Sequence, residues 1–265
     1  MSDHPQSAAI PEPSWSPVVE LRQYTLRPGE RDVLIDLFER EFIEPQEVLG
    51  MRVLGHFRDL DDPDRFVWLR GFHDLPARAE GLAAFYGGPV WKAHREVANA
   101  TMLDSDNVLL LRPARSASGF SPITSARPSR GSNAAREGQV IATVYSLDEG
   151  DVSAFVEYVE GELTPALNHL GGALLAYLVT EKRPNTFPGL PVREGENVFI
   201  WFAGFPKGAI PDEAAPGHGR LGRSIPAAPQ QSQPIQVLRL EPAARSMLTG
   251  GSQACAPIAA AGLRT

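Results

Sequence analysis

Four side chains in this sequence are suited to holding a charged oxygen or moving a proton: Arg22, Tyr24, His56 and Arg70. A guanidinium binds a carboxylate or enolate through charge-assisted hydrogen bonds. An imidazole exchanges protons near neutral pH, and a phenol can act as an acid or base in a suitable environment. Aromatic residues that could shape a cavity accompany them: Trp68, Trp91, Tyr145 and Trp201, with His94 three residues after Trp91. Such a set suits a mostly apolar ligand with one acidic or enolisable end. Arg22 and Arg70 would stabilise the oxyanion, and Tyr24 or His56 would move the proton. Two of these residues have plainer readings. His56 serves equally well as a hydrogen-bonded structural histidine. Trp91, His94 and Arg95 share a helix face and read first as a packing and capping cluster; a pocket-mouth cluster, or an axial haem ligand at His94, are the alternatives.

Other chemistries find little support. No two histidines have the i, i+4 spacing of a zinc helix, and the single cysteine, Cys255, excludes an internal disulfide and Cys-based zinc sites. Gly217 to Gly222 matches G-x-G-x-x-G, but a proline-rich stretch precedes it and no helix pattern follows. A dinucleotide fingerprint requires strand, turn and helix, so no nucleotide cofactor is expected. Asn99-Ala100-Thr101 is a glycosylation sequon without meaning in a cytoplasmic protein. The net charge of −7 and pI near 5.4 argue against nucleic acid as a partner. No apolar run approaches the ~20 residues of a membrane helix. The Pro-rich start has no basic and apolar pattern of a secretory signal, so a cytoplasmic location is expected.

Periodicity gives the elements that must carry these residues. Strands are predicted over residues 18–26, 51–58, 66–72 and 108–112. One helix spans 30–44 and is stopped by Pro45; another spans 76–102 and is broken at Gly87-Gly88-Pro89. The order is β-α-β-β-α-β, the ferredoxin-like pattern. A second set follows, with strands over 140–147, 174–180, 198–205 and 234–240. Its first helix covers 152–163, capped by Asp151 and stopped by Pro165; its second, within 209–233, is degraded by Pro and Gly. Phe66-Val67-Trp68-Leu69-Arg70-Gly71-Phe72 returns as Phe199-Ile200-Trp201-Phe202-Ala203-Gly204-Phe205, and Tyr24-Thr25-Leu26 as Tyr145-Ser146-Leu147. Matches in the same order point to two copies of one unit. The expected organisation is a disordered arm (1–17), a first unit (18–113), a linker (114–138), a second unit (139–246) and a flexible tail (247–265).

Glu20-Leu21-Arg22-x-Tyr24-x-Leu26-x-Pro28-Gly29, the Phe66 to Phe72 strand and Pro89-Val90-Trp91-Lys92-Ala93-His94-Arg95 resemble the NIPSNAP family of the dimeric α/β-barrel superfamily. The resemblance covers Val18 to Pro113, and less completely the second unit, which lacks the Trp-x-x-His-Arg helix. It implies an α+β fold in which the antiparallel sheets of two ferredoxin-like units pair into one barrel, here within a single chain; a homodimer of that fused barrel is a further possibility. Relatives in the superfamily include cofactor-independent monooxygenases and haem-dependent enzymes. The implied function is small-molecule binding, with monooxygenase-like or lyase/isomerase-like chemistry and no cofactor. A non-catalytic binding or adaptor protein is the alternative, and a haem enzyme a lower one.

Strand parity divides the first unit into two faces. Val19, Leu21, Val53, Phe57, Val67 and Leu69 suit packing against helices. Glu20, Arg22, Tyr24, Arg52, Leu54, His56, Trp68 and Arg70 form the other face. By residue type alone that polar face reads as solvated; the barrel resemblance implies that it lines the lumen. The second unit places Thr143 where the first has Arg22 and Ala203 where it has Arg70, so cations come from one half and apolar wall from the other. The connection 181–197 reads as a surface loop, or as a lid in which Phe187 closes the barrel mouth.

Overall fold

The computed structural model describes residues 16–134, 136–147, 152–209, 225–229 and 233–255. Nine strands are described: β1 (Val18–Leu26), β2 (Arg52–Asp59), β3 (Arg65–Phe72), β4 (Met102–Asp104), β5 (Val108–Pro113), β6 (Gln139–Ser146), β7 (Ala173–Thr180), β8 (Val198–Phe205) and β9 (Gln236–Pro242). Their order is β3-β2-β9-β6-β8-β7-β5-β1-β4, and β3 also pairs with β1. Eight antiparallel strands therefore close a barrel, with short β4 appended to β1. The first half contributes β5-β1-β3-β2 and the second β9-β6-β8-β7. The halves meet at two antiparallel seams, β2 with β9 and β5 with β7.

Helices cover the outside of the barrel. In the first half they are α1 (Arg31–Leu37), α2 (Ile43–Val48), α3 (Leu75–Gly87) and α4 (Pro89–Thr101); in the second, α5 (Val152–Tyr158) and α6 (Thr164–His169). The predicted stops at Pro45 and Pro165 do not occur. Each proline lies in the first turn of a helix that follows a π-helical turn, Phe38–Phe42 or Val159–Leu163. There its missing N–H costs nothing, and the wider turn absorbs the change of register. Asp151, the expected cap, and most of 209–233, including the Gly217 to Gly222 motif, lie outside the described residues, as do the arm through residue 15 and the tail beyond Cys255. Among the described residues, no helix is long and apolar enough to cross a membrane.

The faces of the strands are reversed from the expected orientation. The barrel interior is the aliphatic face: Val19, Leu21, Leu54, Phe57, Val67 and Leu69 pack there against Val140, Ala142, Leu178, Ile200, Phe202 and Leu240. The polar face of the first half looks outward, into the layer under α1 to α4. With helices outside and side chains filling the inside, both faces of nearly every strand are buried. Simple alternation also breaks in β2, where the register shifts between Val53 and Gly55. This bulge turns Leu54 inward and leaves Val53 under the helices. A Cβ on Gly55 would lie 2.5 Å from the Phe57 ring. A similar shift in β7 separates Leu174, on the helix side, from Ala176 and Leu178 inside the barrel.

The segment expected as a linker is part of the core. Phe120 is buried in the barrel interior, its ring 5.2 Å from that of Phe202. Ser118 accepts from the Tyr177 amide through its carbonyl, at 2.9 Å. The expected tail is likewise fixed as far as Cys255: Leu248 enters the barrel interior, and the Cys255 amide donates to the Leu174 carbonyl. These segments carry apolar residues at wide spacing, a pattern that periodicity does not detect.

Candidate functional site

Glu20, Arg22, Arg70 and Arg78 are completely buried between the first-half sheet and its helices. Strands β1 and β3 set the first three, with Glu20 opposite Arg70 and Arg22 opposite Trp68. Helix α3 sets Arg78, on the same buried stripe as Leu75, Leu82 and Phe85. Asp74 caps this helix by accepting from the Ala77 amide at 2.7 Å. The Glu20 carboxylate is the hub. Its Oε2 accepts from Arg22 Nη1 at 3.0 Å and from Arg70 Nη2 at 2.7 Å, and its Oε1 accepts from Arg78 Nε at 2.7 Å. Burial alone would raise the Glu20 pKa, but Arg70, Arg22 and Arg78 outweigh it and hold the carboxyl well below the usual carboxylate range.

Three guanidiniums thus surround one carboxylate, leaving an excess of positive charge in a buried layer. The remaining donors are partly satisfied by neutral groups. Arg22 Nε donates to Tyr24 Oη at 2.9 Å, Arg70 Nη1 to Gln46 Oε1 at 2.9 Å, and Arg78 Nη1 to Asn185 Oδ1 at 2.9 Å. Arg22 Nη2, Arg78 Nη2 and Trp68 Nε1 are buried without a hydrogen-bond partner. Each such atom costs about 1–3 kcal/mol unless something accepts from it. The Arg22 and Arg70 guanidiniums lie 5.4 and 4.9 Å from the Trp68 ring centre, within cation–π range.

A cavity of about 40 Å³ adjoins this cluster, lined by Tyr24, Gln46 and Trp68 and by an aromatic wall that includes Phe38, Phe42, Tyr86 and Trp91. It is large enough for a few waters or a small polar group. Burial raises the Tyr24 pKa, which keeps its hydroxyl protonated. His56 stands opposite Trp68 on β2, so His56, Trp68 and Arg22 form a row across three strands. Its Nε2 lies 2.7 Å from Glu39 Oε1, its Nδ1 has no partner, and burial lowers its pKa despite that carboxylate. A neutral ring donating from Nε2 leaves Nδ1 as a bare acceptor.

The remaining sequence-predicted residues fall into two groups. Trp91 lines the cavity, whereas His94 is half-buried at its edge, 3.7 Å from Glu41 and against the Phe42 ring. Tyr145 and Trp201 occupy the equivalent layer of the second half, where Trp201 Nε1 donates to Tyr145 Oη at 3.1 Å. They do not join the first-half residues. Phe187 is not at the barrel mouth; it stacks on Tyr86, 6.2 Å away. Sequence reasoning placed Glu20 on the polar face without giving it a role and missed Arg78 altogether. The 3-4-3 spacing of Leu75, Arg78, Leu82 and Phe85 was the available signal, because it puts a guanidinium on an apolar stripe.

Residues 19–117 match the NIPSNAP family model. No curated protein matches the chain. Among solved structures, a NIPSNAP family protein from Agrobacterium tumefaciens C58 is 24% identical over 36% of this chain and 91% of its own, with a TM-score of 0.34. A second NIPSNAP family protein of unknown function from that organism is 26% identical over 40% of this chain and 91% of its own, with a TM-score of 0.35. A candidate monooxygenase from Lactobacillus acidophilus NCFM is 13% identical over 92% of this chain and 100% of its own, with a TM-score of 0.49. Residues 19–117 are thus similar to the NIPSNAP family.

Proposed function

We propose that this protein binds a small organic acid, or an enolisable carbonyl compound, in the layer between the first-half sheet and its helices. One observation carries this reading: three buried guanidiniums share a single carboxylate, and two of them, together with the Trp68 indole, keep a donor unused. An oxyanion beside Arg22 Nη2 and Trp68 Nε1 would satisfy donors that are otherwise costly, and would offset the surplus charge. The aromatic wall would take the apolar part of the ligand.

The chemistry that suits this arrangement is proton transfer at a carbon acid without a bound cofactor. Arg22 would stabilise the enolate, the protonated Tyr24 would donate a hydrogen bond to it, and His56 Nδ1 would accept the proton and give it back at the new position. Rearrangement needs nothing more; oxygenation would need dioxygen as a second substrate. The two halves are read as copies of one unit in which only the first keeps a site. A second reading, a non-catalytic binding or adaptor protein, draws on the barrel interior, which is filled by side chains rather than open.

Native mass spectrometry of the purified protein tests for a retained acid. Titration with butyrate and its neutral isostere butyramide tests the recognition. Saturable binding of butyrate alone is expected, with loss in Arg22→Met. Equal binding of both compounds, or of neither, refutes the reading.

A further inference from the structure

The connection between β7 and β8, residues 181–197, crosses from the second half onto the first. Its contacts fall on the charge cluster and the cavity wall. Asn185 Oδ1 and Thr186 Oγ1 accept from Arg78 Nη1 at 2.9 and 3.3 Å, and Thr186 Oγ1 donates to the Leu75 carbonyl at 3.1 Å. Phe187 stacks on Tyr86, which lines the cavity. Asn185 is held in turn by its own strap, donating from Nδ2 to the Leu190 carbonyl at 3.1 Å.

A groove of about 470 Å³ lies between the two ends of this strap, which form most of its lining. Asn185 is in its wall, and Leu110, the cross-strand neighbour of Glu20, is also in its lining. The groove and the buried cluster are therefore neighbours, with Asn185 between them. It is also within the size range of small-molecule sites, which the cavity of about 40 Å³ is not.

The bonds around Arg78 are unequal. Its Nε bond to Glu20 joins two charges, the Nη1 bonds go to a neutral amide and a neutral hydroxyl, and Nη2 has no partner. A carboxylate outcompetes neutral acceptors for a guanidinium, and the surplus positive charge of the cluster favours that exchange.

We propose that Asn185 and Thr186 form a gate that selects for acids: a carboxylate arriving through the groove replaces them on Arg78 and so gains access to the cluster. A neutral isostere cannot make the exchange. This proposal rests on the anion-binding reading above and assigns the strap of the second half a part in the site of the first.

Stopped-flow tryptophan fluorescence with butyrate and butyramide tests it, on variants whose folding is checked by thermal unfolding. Asn185→Asp tethers a carboxylate beside Arg78 and should slow butyrate association at least tenfold. Asn185→Ala with Thr186→Val removes the neutral acceptors and should speed it at least fivefold. Rates within twofold of wild type in both overturn the gate while leaving the binding site standing. Altered rates in both, with full equilibrium binding retained in Arg22→Met (or in Arg22→Lys, if the methionine variant does not fold), keep the gate and overturn the placement at Arg22. No binding of butyrate to the wild-type protein overturns both.

Discussion

The Trp201 indole donates to the Tyr145 hydroxyl, a bond that Trp68 does not make with Tyr24 at the matching place in the first half. The cause is one substitution. Arg22 claims Tyr24 Oη through its Nε, whereas Thr143 stands opposite Trp201 and leaves Tyr145 Oη available. The Trp201–Tyr145 pair is thus satisfied, whereas Arg22 and Trp68 keep donors to spare.

Arg22→Thr should convert the first half to the second-half pattern. The Trp68 Nε1 proton is expected to move downfield in the NMR spectrum as it gains Tyr24 Oη as acceptor. Butyrate affinity should fall about ten- to a hundredfold, the range for losing a hydrogen bond to a charged group. An unchanged indole signal would refute the account of why Trp68 is unpartnered.

Glu20 links acid stability to the cluster. Its pKa is lower folded than unfolded, so the unfolded chain takes up the proton first as pH falls. Stability is full above the ordinary glutamate range and declines below it, by about 1.4 kcal/mol per pH unit from this group. Glu20→Gln should lower stability near neutral pH by about 3–5 kcal/mol, because it strands buried guanidiniums, and should flatten the acid limb. Urea midpoints from pH 3 to 7 read both effects, and parallel curves for the two proteins would contradict the pKa direction.

His56 should act in a higher pH window. Burial lowers its pKa, so the unfolded imidazole binds a proton where the folded one does not. Stability from this group is complete above the ordinary histidine pKa of about 6.5 and declines as pH falls below it. His56→Phe is expected to reduce the slope of stability between pH 5 and 7. A steeper slope in the variant would mean that the folded ring is charged beside Glu39.

Phe120 offers a direct check on the segment that enters the barrel. Phe120→Ala should destabilise by about 3–5 kcal/mol, the cost of emptying an aromatic site in a packed core. A change below about 1 kcal/mol would show that the segment merely covers the barrel.

Much of the strand framework was legible because its signals are local: Val18 to Leu26 alternates, Phe66 to Phe72 and Phe199 to Phe205 are apolar runs of strand length, and Pro28-Gly29 turns the chain. The orientation of the sheet was not legible. A strand buried on both faces gives no hint of which face meets helices and which meets the other half, and Arg22 with Arg70 reads as solvated until the buried Glu20 carboxylate is seen to bridge them. The bulge at Gly55 further inverts the parity of Leu54 relative to His56. Contacts between elements far apart in sequence, such as Arg78 with Asn185, carry no local signature at all.

Closing the barrel within one chain also removes a symmetry constraint. In a homodimer every buried charge would occur twice, and closure would depend on protein concentration. Here the seams β2 with β9 and β5 with β7 form at a fixed effective concentration, so dilution does not open them. The two halves then need not be alike: the costly cluster around Glu20 is built in the first, while the layer around Trp201 in the second is plain core.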